Sequence, residues 1–210
     1  MSGSEDANDT VFTLIDAMNP WFAKAVILMA SIVTVLIRAP HGKRSRTVKV
    51  AKSRMGLLEV SLLAVAWMAF FVPILWIATP WLAFANFPLY PFPLVIGSLL
   101  LALSLWLFHR SHADLGTNWS ITLEIRESHQ LVTEGLYRHV RHPMYSALLL
   151  YGLGQVVVVP NWVARPSYGV AMALLCALRL GPEEELMRDQ FKGEYEAYAS
   201  RTKRLIPGTW

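Results

Sequence analysis

The stretch that decides the fold runs from Val60 to His109 and reads VSLLAVAWMAFFVPILWIATPWLAFANFPLYPFPLVIGSLLLALSLWLFH. None of these fifty residues is Asp, Glu, Lys or Arg. A transmembrane helix needs about 20 apolar residues, so the stretch is too long for one helix and fits two. Pro80, Pro88, Pro91 and Pro93 break the stretch and mark a short turn between its two halves. The sequence therefore predicts a pair of membrane-spanning helices here.

The composition of the whole chain extends this conclusion. Of the 210 residues, 54% are hydrophobic and only 16% are charged, and the mean hydropathy is +0.38. A soluble globular protein carries about 25% charged residues, so this composition excludes a soluble enzyme and a disordered chain. The single cysteine, Cys176, excludes an intramolecular disulfide and a cysteine-rich zinc site. The sequence predicts an integral membrane protein.

Further apolar runs complete the predicted fold, which is all-α: an integral membrane helical bundle of about five transmembrane helices plus a cytoplasmic C-terminal amphipathic helix. The predicted spans are about Pro20–Ile37, Leu57–Ala78, Pro93–His109, Pro143–Val159 and Pro166–Leu180. Polar motifs are concentrated in the second half of the chain. We therefore divide it into an N-terminal scaffold of three spans, residues 1–108, and a catalytic region, residues 109–210.

Positive charge is distributed unevenly along the chain. The loop Arg38–Arg54 holds many Lys and Arg residues and no acidic residue, so the positive-inside rule predicts that it is cytoplasmic. With five spans, all of the 19 Lys and Arg residues except Lys24 and Arg165 fall on that side. The N-terminus is then outside and the C-terminus cytoplasmic. We interpret the basic loop as a topology determinant that touches anionic membrane lipid, and we predict no nucleic-acid partner.

The segment Tyr137–Tyr145 reads Tyr-Arg-His-Val-Arg-His-Pro-Met-Tyr and leads directly into a predicted span. Arg and Tyr commonly anchor a membrane edge, which would explain two or three of these residues. That explanation does not cover the turn at Gly135 or the His142-Pro143 pair, where proline suits the first turn of a helix. The segment is therefore a candidate binding site.

A second polar segment follows the fifth predicted span. Arg179 and Glu183 are four residues apart at its end, and an ionisable pair at a membrane boundary indicates a functional site. We expect Glu183–Glu185 in the first turn of a new helix after Pro182, where the helix dipole favours acidic residues. Apolar and aromatic side chains then recur at helical spacing and are expected to pack on the bundle. They are Met187, Phe191, Tyr195 and Tyr198.

Two weaker patterns have plain interpretations. Gly152-Leu-Gly154 lies within a predicted transmembrane helix rather than after a strand, so we interpret it as close helix packing and not as a dinucleotide-binding motif. His109 and His112 lack further ligands at suitable spacing, so we predict no metal site.

Four segments, taken in order, resemble the isoprenylcysteine carboxyl methyltransferase family and the related phospholipid methyltransferases. They are Leu115–Ser120, His129–Ala147, Arg179–Tyr198 and Leu205–Pro207. The resemblance implies an integral membrane methyltransferase that uses S-adenosyl-L-methionine and takes a lipophilic substrate from the bilayer. The archetypal acceptor of the family is the carboxylate of an isoprenylcysteine.

The resemblance also implies residue roles. Glu183 would hold the methionine amino group of the cofactor, and Arg179 would bind the reacting group of the substrate, which makes these the two predicted catalytic residues. The other predicted cofactor-binding residues, some acting through their backbone, are His129, Gln130, Leu131, Val132, Tyr137, His142, Pro143, Met144 and Tyr145.

Two other functions remain open at this point. A membrane reductase of the sterol reductase type would bind NADPH, and Arg138, Arg141 and Arg179 would suit its 2′-phosphate. A non-enzymatic membrane scaffold would need none of these residues on one side of the bilayer. The sequence also leaves the oligomeric state and the identity of the methyl acceptor open.

Overall fold

The structure is a computed structural model that describes residues 17–45, 50–53, 56–116, 124–126 and 130–208. The helices in these ranges are α1 (Trp21–Ser45), α2 (Leu57–Ala78), α3 (Pro91–Leu115), α4 (Pro143–Val158), α5 (Ala164–Phe191) and α6 (Gly193–Arg201). Short 3₁₀ helices lie at Ala83–Ala85 and Gly135–Arg138. The described part is thus mainly helical, as predicted.

A small antiparallel sheet is an addition that the sequence did not predict. Strand β1 (Val50–Ser53) pairs with strand β2 (Glu124–Arg126), with Lys52 opposite Ile125. The two strands come from the connections α1–α2 and α3–α4, and their pairing joins two loops that are distant in sequence. Strands this short carry too few residues for a period-two pattern to show in the sequence.

Among the described residues, three helices are long and apolar enough to cross a membrane: Trp21–Gly42, Leu57–Ala78 and Pro91–Leu115. The chain is therefore a multi-pass integral membrane protein. Helix α4 is apolar but has only 16 residues, about 24 Å at 1.5 Å per residue, against a hydrocarbon core of about 30 Å. The count of five spans stays a prediction.

The predicted boundary at Pro182 is wrong. Helix α5 continues through Pro182 and ends only at Phe191, so Glu183–Glu185 lie inside a long helix and not in the first turn of a new one. The break comes at Lys192, whose φ of 48° is left-handed. Proline removes one backbone hydrogen bond, and the helix tolerates this loss because buried residues anchor it on both sides, Arg179 and Leu180 before Pro182 and Glu184 and Leu186 after it.

Helix α3 packs on α1 and α4, α4 packs on α5, and α5 packs on α2. At one end of this bundle the Asn161 side chain donates to the Asn86 side chain over 2.8 Å, and Lys24 approaches the Ile77 carbonyl at 3.5 Å. Arg165 stacks on Trp162 at the same end. Lys24 and Arg165 therefore share one end of the bundle, and Arg179 lies towards the other.

Close helix contacts at glycine confirm the interpretation of Gly152 and Gly154. A Cβ atom on Gly152 would lie 2.5 Å from Cα of Gly169 in α5, and one on Gly154 would lie 3.1 Å from the backbone nitrogen of Leu101 in α3. Only a residue without a side chain allows both neighbouring helices to approach α4 this closely.

The crossing of α4 and α5 makes an asymmetric prediction. We expect Gly152→Ala to destabilise the protein by about 1–3 kcal/mol, because the new Cβ meets backbone that cannot move aside. Gly169→Ala is the matched control, since its Cβ would lie at an ordinary 3.5 Å from Gly152. Thermal unfolding of the two variants in detergent measures the difference, and equal melting temperatures would contradict this packing.

Candidate active site

The predicted catalytic pair lies on α5 and meets the start of α4. The Tyr145 hydroxyl donates to Oε2 of Glu183 over 2.7 Å, and Nε of Arg179 lies 3.8 Å from the same oxygen. The Arg179 side chain is only 8% exposed, whereas that of Glu183 is 29% exposed. The arrangement buries the cation and leaves part of the neighbouring carboxylate accessible.

A further acidic residue, which was not predicted from the sequence, lies next to Arg179. Glu59, in the first turn of α2, is buried, and its Oε1 lies 3.5 Å from Nη2 of Arg179. The guanidinium of Arg179 is therefore placed between Glu59 and Glu183. Glu59 immediately precedes the uncharged stretch, and an ionisable residue at the edge of an apolar span is a signal that could have found it. Residues 1–108 thus contribute to the site, although the division at 108 itself stays a prediction.

Removing the charge of Glu59 tests whether it holds Arg179. We expect Glu59→Gln to lower the free energy of unfolding by about 1–3 kcal/mol, because a buried guanidinium loses a charge-assisted contact. Thermal unfolding is the measurement, and Glu185→Gln is the control because Glu185 is exposed on α5. A Glu59→Gln variant that unfolds at the wild-type temperature would show that the pair contributes nothing.

The next residue along α5, Glu184, is fully buried and has a different role. Its Oε1 accepts from Nε of Arg141 at 3.0 Å, and its Oε2 accepts from Nη2 of Arg204 at 3.0 Å. Nη2 of Arg188 lies 3.3 Å from Oε2. We call these residues, together with His142, the Glu184 cluster. The Glu184 cluster was not predicted, because Glu183, Glu184 and Glu185 are alike in sequence and only packing shows which one is enclosed.

The charges around Glu184 determine its ionisation. Burial by itself would raise the pKa of this carboxyl, but hydrogen bonds from His142 and Arg204 and the charge of Arg141 outweigh burial. The pKa of Glu184 is therefore held well below its ordinary value of 4.5. The carboxylate stays ionised at any physiological pH and binds the surrounding cations permanently.

His142 connects the two glutamates. Its Nε2 lies 3.3 Å from Oε1 of Glu184, and its Nδ1 lies 3.8 Å from Oε1 of Glu183. The ring is buried and stands directly before Pro143, the first residue of α4. The imidazole thus lies between the enclosed carboxylate and the accessible one.

The end of the described chain is fastened to the same region. The Arg141 and His142 backbone N–H groups donate to the carbonyls of Lys203 and Arg204 at 2.7 and 3.0 Å. The Ser146 hydroxyl donates to the Leu205 carbonyl at 2.6 Å. The segment 203–205 is therefore held against the residues that begin α4, and Leu205 of the Leu205–Pro207 motif takes part through its carbonyl.

The loop before α4 reaches the site through Tyr137. Burial raises the pKa of the Tyr137 phenol well above its usual range, and the negative charges of Glu183 and Asp114 raise it further. The Tyr198 hydroxyl donates to the Tyr137 carbonyl over 2.6 Å, which ties the loop to α6. The structure thus places the Tyr137 phenol within electrostatic reach of Glu183, although the two residues are far apart in sequence.

The other predicted cofactor-binding residues are distributed as follows. Gln130 is exposed, Leu131, Val132 and Met144 are half-buried, and Pro143 is buried. His129 lies outside the described residues, as do positions 117–120 of the Leu115–Ser120 motif. The structure therefore brings together a subset of the predicted site. This subset is Tyr137, His142, Tyr145, Arg179 and Glu183.

The fold and this polar cluster define a class: a membrane-embedded helical protein with a buried ionic site at one end. Residues 95–189 match the model of the isoprenylcysteine carboxyl methyltransferase (ICMT) family. The matched range includes His142, Tyr145, Arg179 and Glu183. The resemblance inferred from the sequence motifs is therefore confirmed.

Similar proteins agree with this family. Protein-S-isoprenylcysteine O-methyltransferase B of Arabidopsis thaliana is 33% identical over 44% of this chain and 48% of its own length. A probable protein-S-isoprenylcysteine O-methyltransferase of Oryza sativa subsp. indica is 27% identical over 89% of this chain and 94% of its own length. The names of both relatives support a methyltransferase.

The solved structure of a eukaryotic intramembrane Ras methyltransferase ICMT aligns with a TM-score of 0.50 and 25% identity, over 71% of this chain and 50% of that one. The chain thus spans about half the length of that protein and of the Arabidopsis relative. The likeness extends beyond the matched motifs to the arrangement of membrane helices.

Proposed function

We propose that the protein is an S-adenosyl-L-methionine-dependent methyltransferase that acts on a lipophilic acceptor, with the carboxylate of an isoprenylcysteine-type substrate as the first candidate. One observation carries the proposal. Within the family-matched segment, Arg179 and Glu183 lie side by side with Tyr145 and His142 at one end of a membrane bundle. A polar cofactor and a membrane-resident acceptor need such a boundary location.

The Glu183 carboxylate fits the ammonium group of the cofactor. That ammonium group needs a carboxylate that is accessible but fixed in direction. The Glu183 side chain is 29% exposed, and the Tyr145 hydroxyl orients it. Glu184, enclosed by arginines, cannot serve. By family resemblance, the pocket around Tyr137 and Glu183 would be completed by further residues: His129, Gln130–Val132, Pro143 and Met144.

Arg179 would bind the acceptor carboxylate. A guanidinium can donate two parallel hydrogen bonds to a carboxylate, and Glu59 holds its other side. When bound, the cofactor would supply a methyl group on a cationic sulfur, and a carboxylate oxygen held by Arg179 would accept that methyl group with release of a neutral thioether. No proton moves, so no side chain need act as base, and alignment of the two reactants provides most of the rate.

The membrane placement is part of the proposal. Five spans with the N-terminus outside would put the active site and the C-terminus in the cytoplasm, where the cofactor is. The location of Lys24 and Arg165 at the end of the bundle away from Arg179 supports this orientation, because all the other Lys and Arg residues then face the cytoplasm.

Calorimetric titration of the detergent-purified protein with S-adenosylhomocysteine tests the function. We expect saturable binding, and transfer of a labelled methyl group from S-adenosyl-L-methionine to an S-farnesylated N-acetylcysteine. Binding and stabilisation by NADPH in its place would overturn the proposal in favour of a reductase. A folded protein in lipid nanodiscs that binds neither ligand would overturn it in favour of a scaffold.

A further inference from the structure

Asp114, in the last turn of α3, reaches across to the loop that precedes α4. Its Oδ2 accepts from the backbone N–H of Leu136 at 2.9 Å, and its Oδ1 lies 3.1 Å from Nη2 of Arg110. The side chain is 13% exposed. A carboxylate that accepts from a part-buried N–H makes a stronger contact than a neutral acceptor does.

The residue before Leu136 is shaped to receive this carboxylate. Gly135 has a φ of +60°, and a Cβ built on it would lie 2.4 Å from Oδ2 and 2.6 Å from Cγ of Asp114. The carboxylate therefore occupies the space that any other residue at position 135 would fill. Asp114 and Gly135 form a matched pair, and we call this contact the Asp114 latch.

The latch holds the segment that is proposed to bind the cofactor. Leu136 adjoins Tyr137, whose phenol lies in the field of Glu183 and whose carbonyl accepts from Tyr198. The loop is thus fixed on one side by α3 and on the other by α6. If the Asp114 hydrogen bond were lost, the loop would keep the hydrogen bond from Tyr198 to the Tyr137 carbonyl but would no longer be held by α3.

We propose that Asp114 is a positioning residue that holds the loop 130–138 in the geometry that binds the cofactor. The inference rests on the proposed function and adds to it a residue outside the predicted site. Asp114 touches no reacting group, so its loss should act on cofactor affinity and not on the chemical step.

Calorimetry with S-adenosylhomocysteine is the first test. We expect Asp114→Ala to weaken binding about tenfold, the loss of one charge-assisted hydrogen bond. Asp114→Asn should stay within about threefold of wild type, because its side-chain carbonyl can still accept from Leu136. Arg110→Ala, which removes an exposed partner, is the control and should change little. Affinity in Asp114→Ala within twofold of wild type would overturn the proposal.

Steady-state kinetics separate positioning from a general structural effect. We expect a raised KM for S-adenosyl-L-methionine with kcat nearly unchanged in Asp114→Ala. Gly135→Ala should behave alike, because its Cβ would displace the carboxylate, whereas Gly116→Ala has a similar φ of +56° but open space and controls for backbone strain. The latch would be contradicted if Asp114→Ala and Asp114→Asn lowered kcat to the same extent and also lowered the melting temperature to the same extent.

Hydrogen–deuterium exchange tests the latch independently of the proposed function. In ligand-free protein, peptides covering 130–138 should exchange faster in Asp114→Ala than in wild type or Arg110→Ala. A wild-type protein that does not bind S-adenosylhomocysteine but shows this exchange pattern would refute the function and keep the latch. Unchanged exchange in Asp114→Ala would refute the latch whether or not the wild-type protein binds.

Discussion

Replacing Glu184 with alanine is expected to destabilise the protein by about 3–5 kcal/mol, the usual result of removing one partner from a buried ionic group. The carboxylate is fully enclosed, and its loss would leave the guanidinium groups of Arg141 and Arg204 facing one another without compensation. Because 1 kcal/mol shifts the melting temperature of a chain this size by about 2–4 °C, the drop should be about 6–20 °C.

In this variant the contacts that hold the segment 199–204 against the start of α4 should weaken together. Arg141 also donates to the carbonyls of Ala199 and Thr202, and Arg204 lies in the segment that pairs with the start of α4. Thermal unfolding in detergent and limited proteolysis of the C-terminal segment are the measurements. Glu185→Ala is the matched control, since Glu185 is the exposed neighbour. Similar melting temperatures for the two variants would show that the cluster does not stabilise the fold.

The stability that Glu184 provides should depend on pH in a defined direction. Its pKa is lowered in the folded protein, so the unfolded chain binds the proton first as the pH falls. The contribution is complete above the ordinary value of 4.5 and is lost as the pH falls below it. The difference in melting temperature between wild type and Glu184→Ala should therefore stay constant from pH 7 to about pH 5 and shrink between about pH 5 and pH 3, and a difference that stays constant down to about pH 3 would contradict the lowered pKa.

The adjacent substitution, Glu183→Ala, is expected to have a contrasting effect. Affinity for S-adenosylhomocysteine should fall about a hundredfold, because a carboxylate that binds an ammonium group in a partly buried site contributes on the order of 3 kcal/mol. The fold should survive, since Glu183 is partly exposed and the Arg179 guanidinium keeps its contact with Glu59. Calorimetry and thermal unfolding of the same sample measure both effects.

Two further variants make the comparison sharper. Glu183→Gln keeps the acceptor for the Tyr145 hydroxyl and removes only the charge, so it should lose most of the affinity while keeping wild-type stability. Tyr145→Phe keeps the charge and removes the hydrogen bond, so its loss of affinity should be smaller. Undiminished S-adenosylhomocysteine binding in Glu183→Ala would refute the role of this residue, whatever its stability.

Much of the fold was predictable because a membrane-spanning helix is recognisable from the hydropathy of its own residues. The uncharged stretch Val60–His109 predicted a pair of helices, and α2 and α3 occupy it, at Leu57–Ala78 and Pro91–Leu115. The boundary at Pro182 was mispredicted for a physical reason. Proline usually begins or ends a helix, but tertiary packing on both sides outweighs the loss of one backbone hydrogen bond.

The residues of the candidate site that lie in family-like motifs were predictable from the sequence. Those that reach the site only through tertiary packing were not. Arg179 and Glu183 were predicted as a pair because four residues make one helical turn, and the structure places them together. Glu59 was not predicted, since its contact with Arg179 spans more than a hundred residues. Asp114 was also missed, because nothing in the sequence relates it to Leu136.

By itself, the sequence determined that this is a multi-pass helical membrane protein with methyltransferase motifs in its second half. Hydropathy and motif spacing are properties of short segments, and they survive without knowledge of the packing. Only the tertiary structure decided which of two adjacent glutamates is enclosed. Successive residues point about 100° apart around a helix, so Glu184 faces Arg141 and Arg204 while Glu183 faces Tyr145 and Arg179.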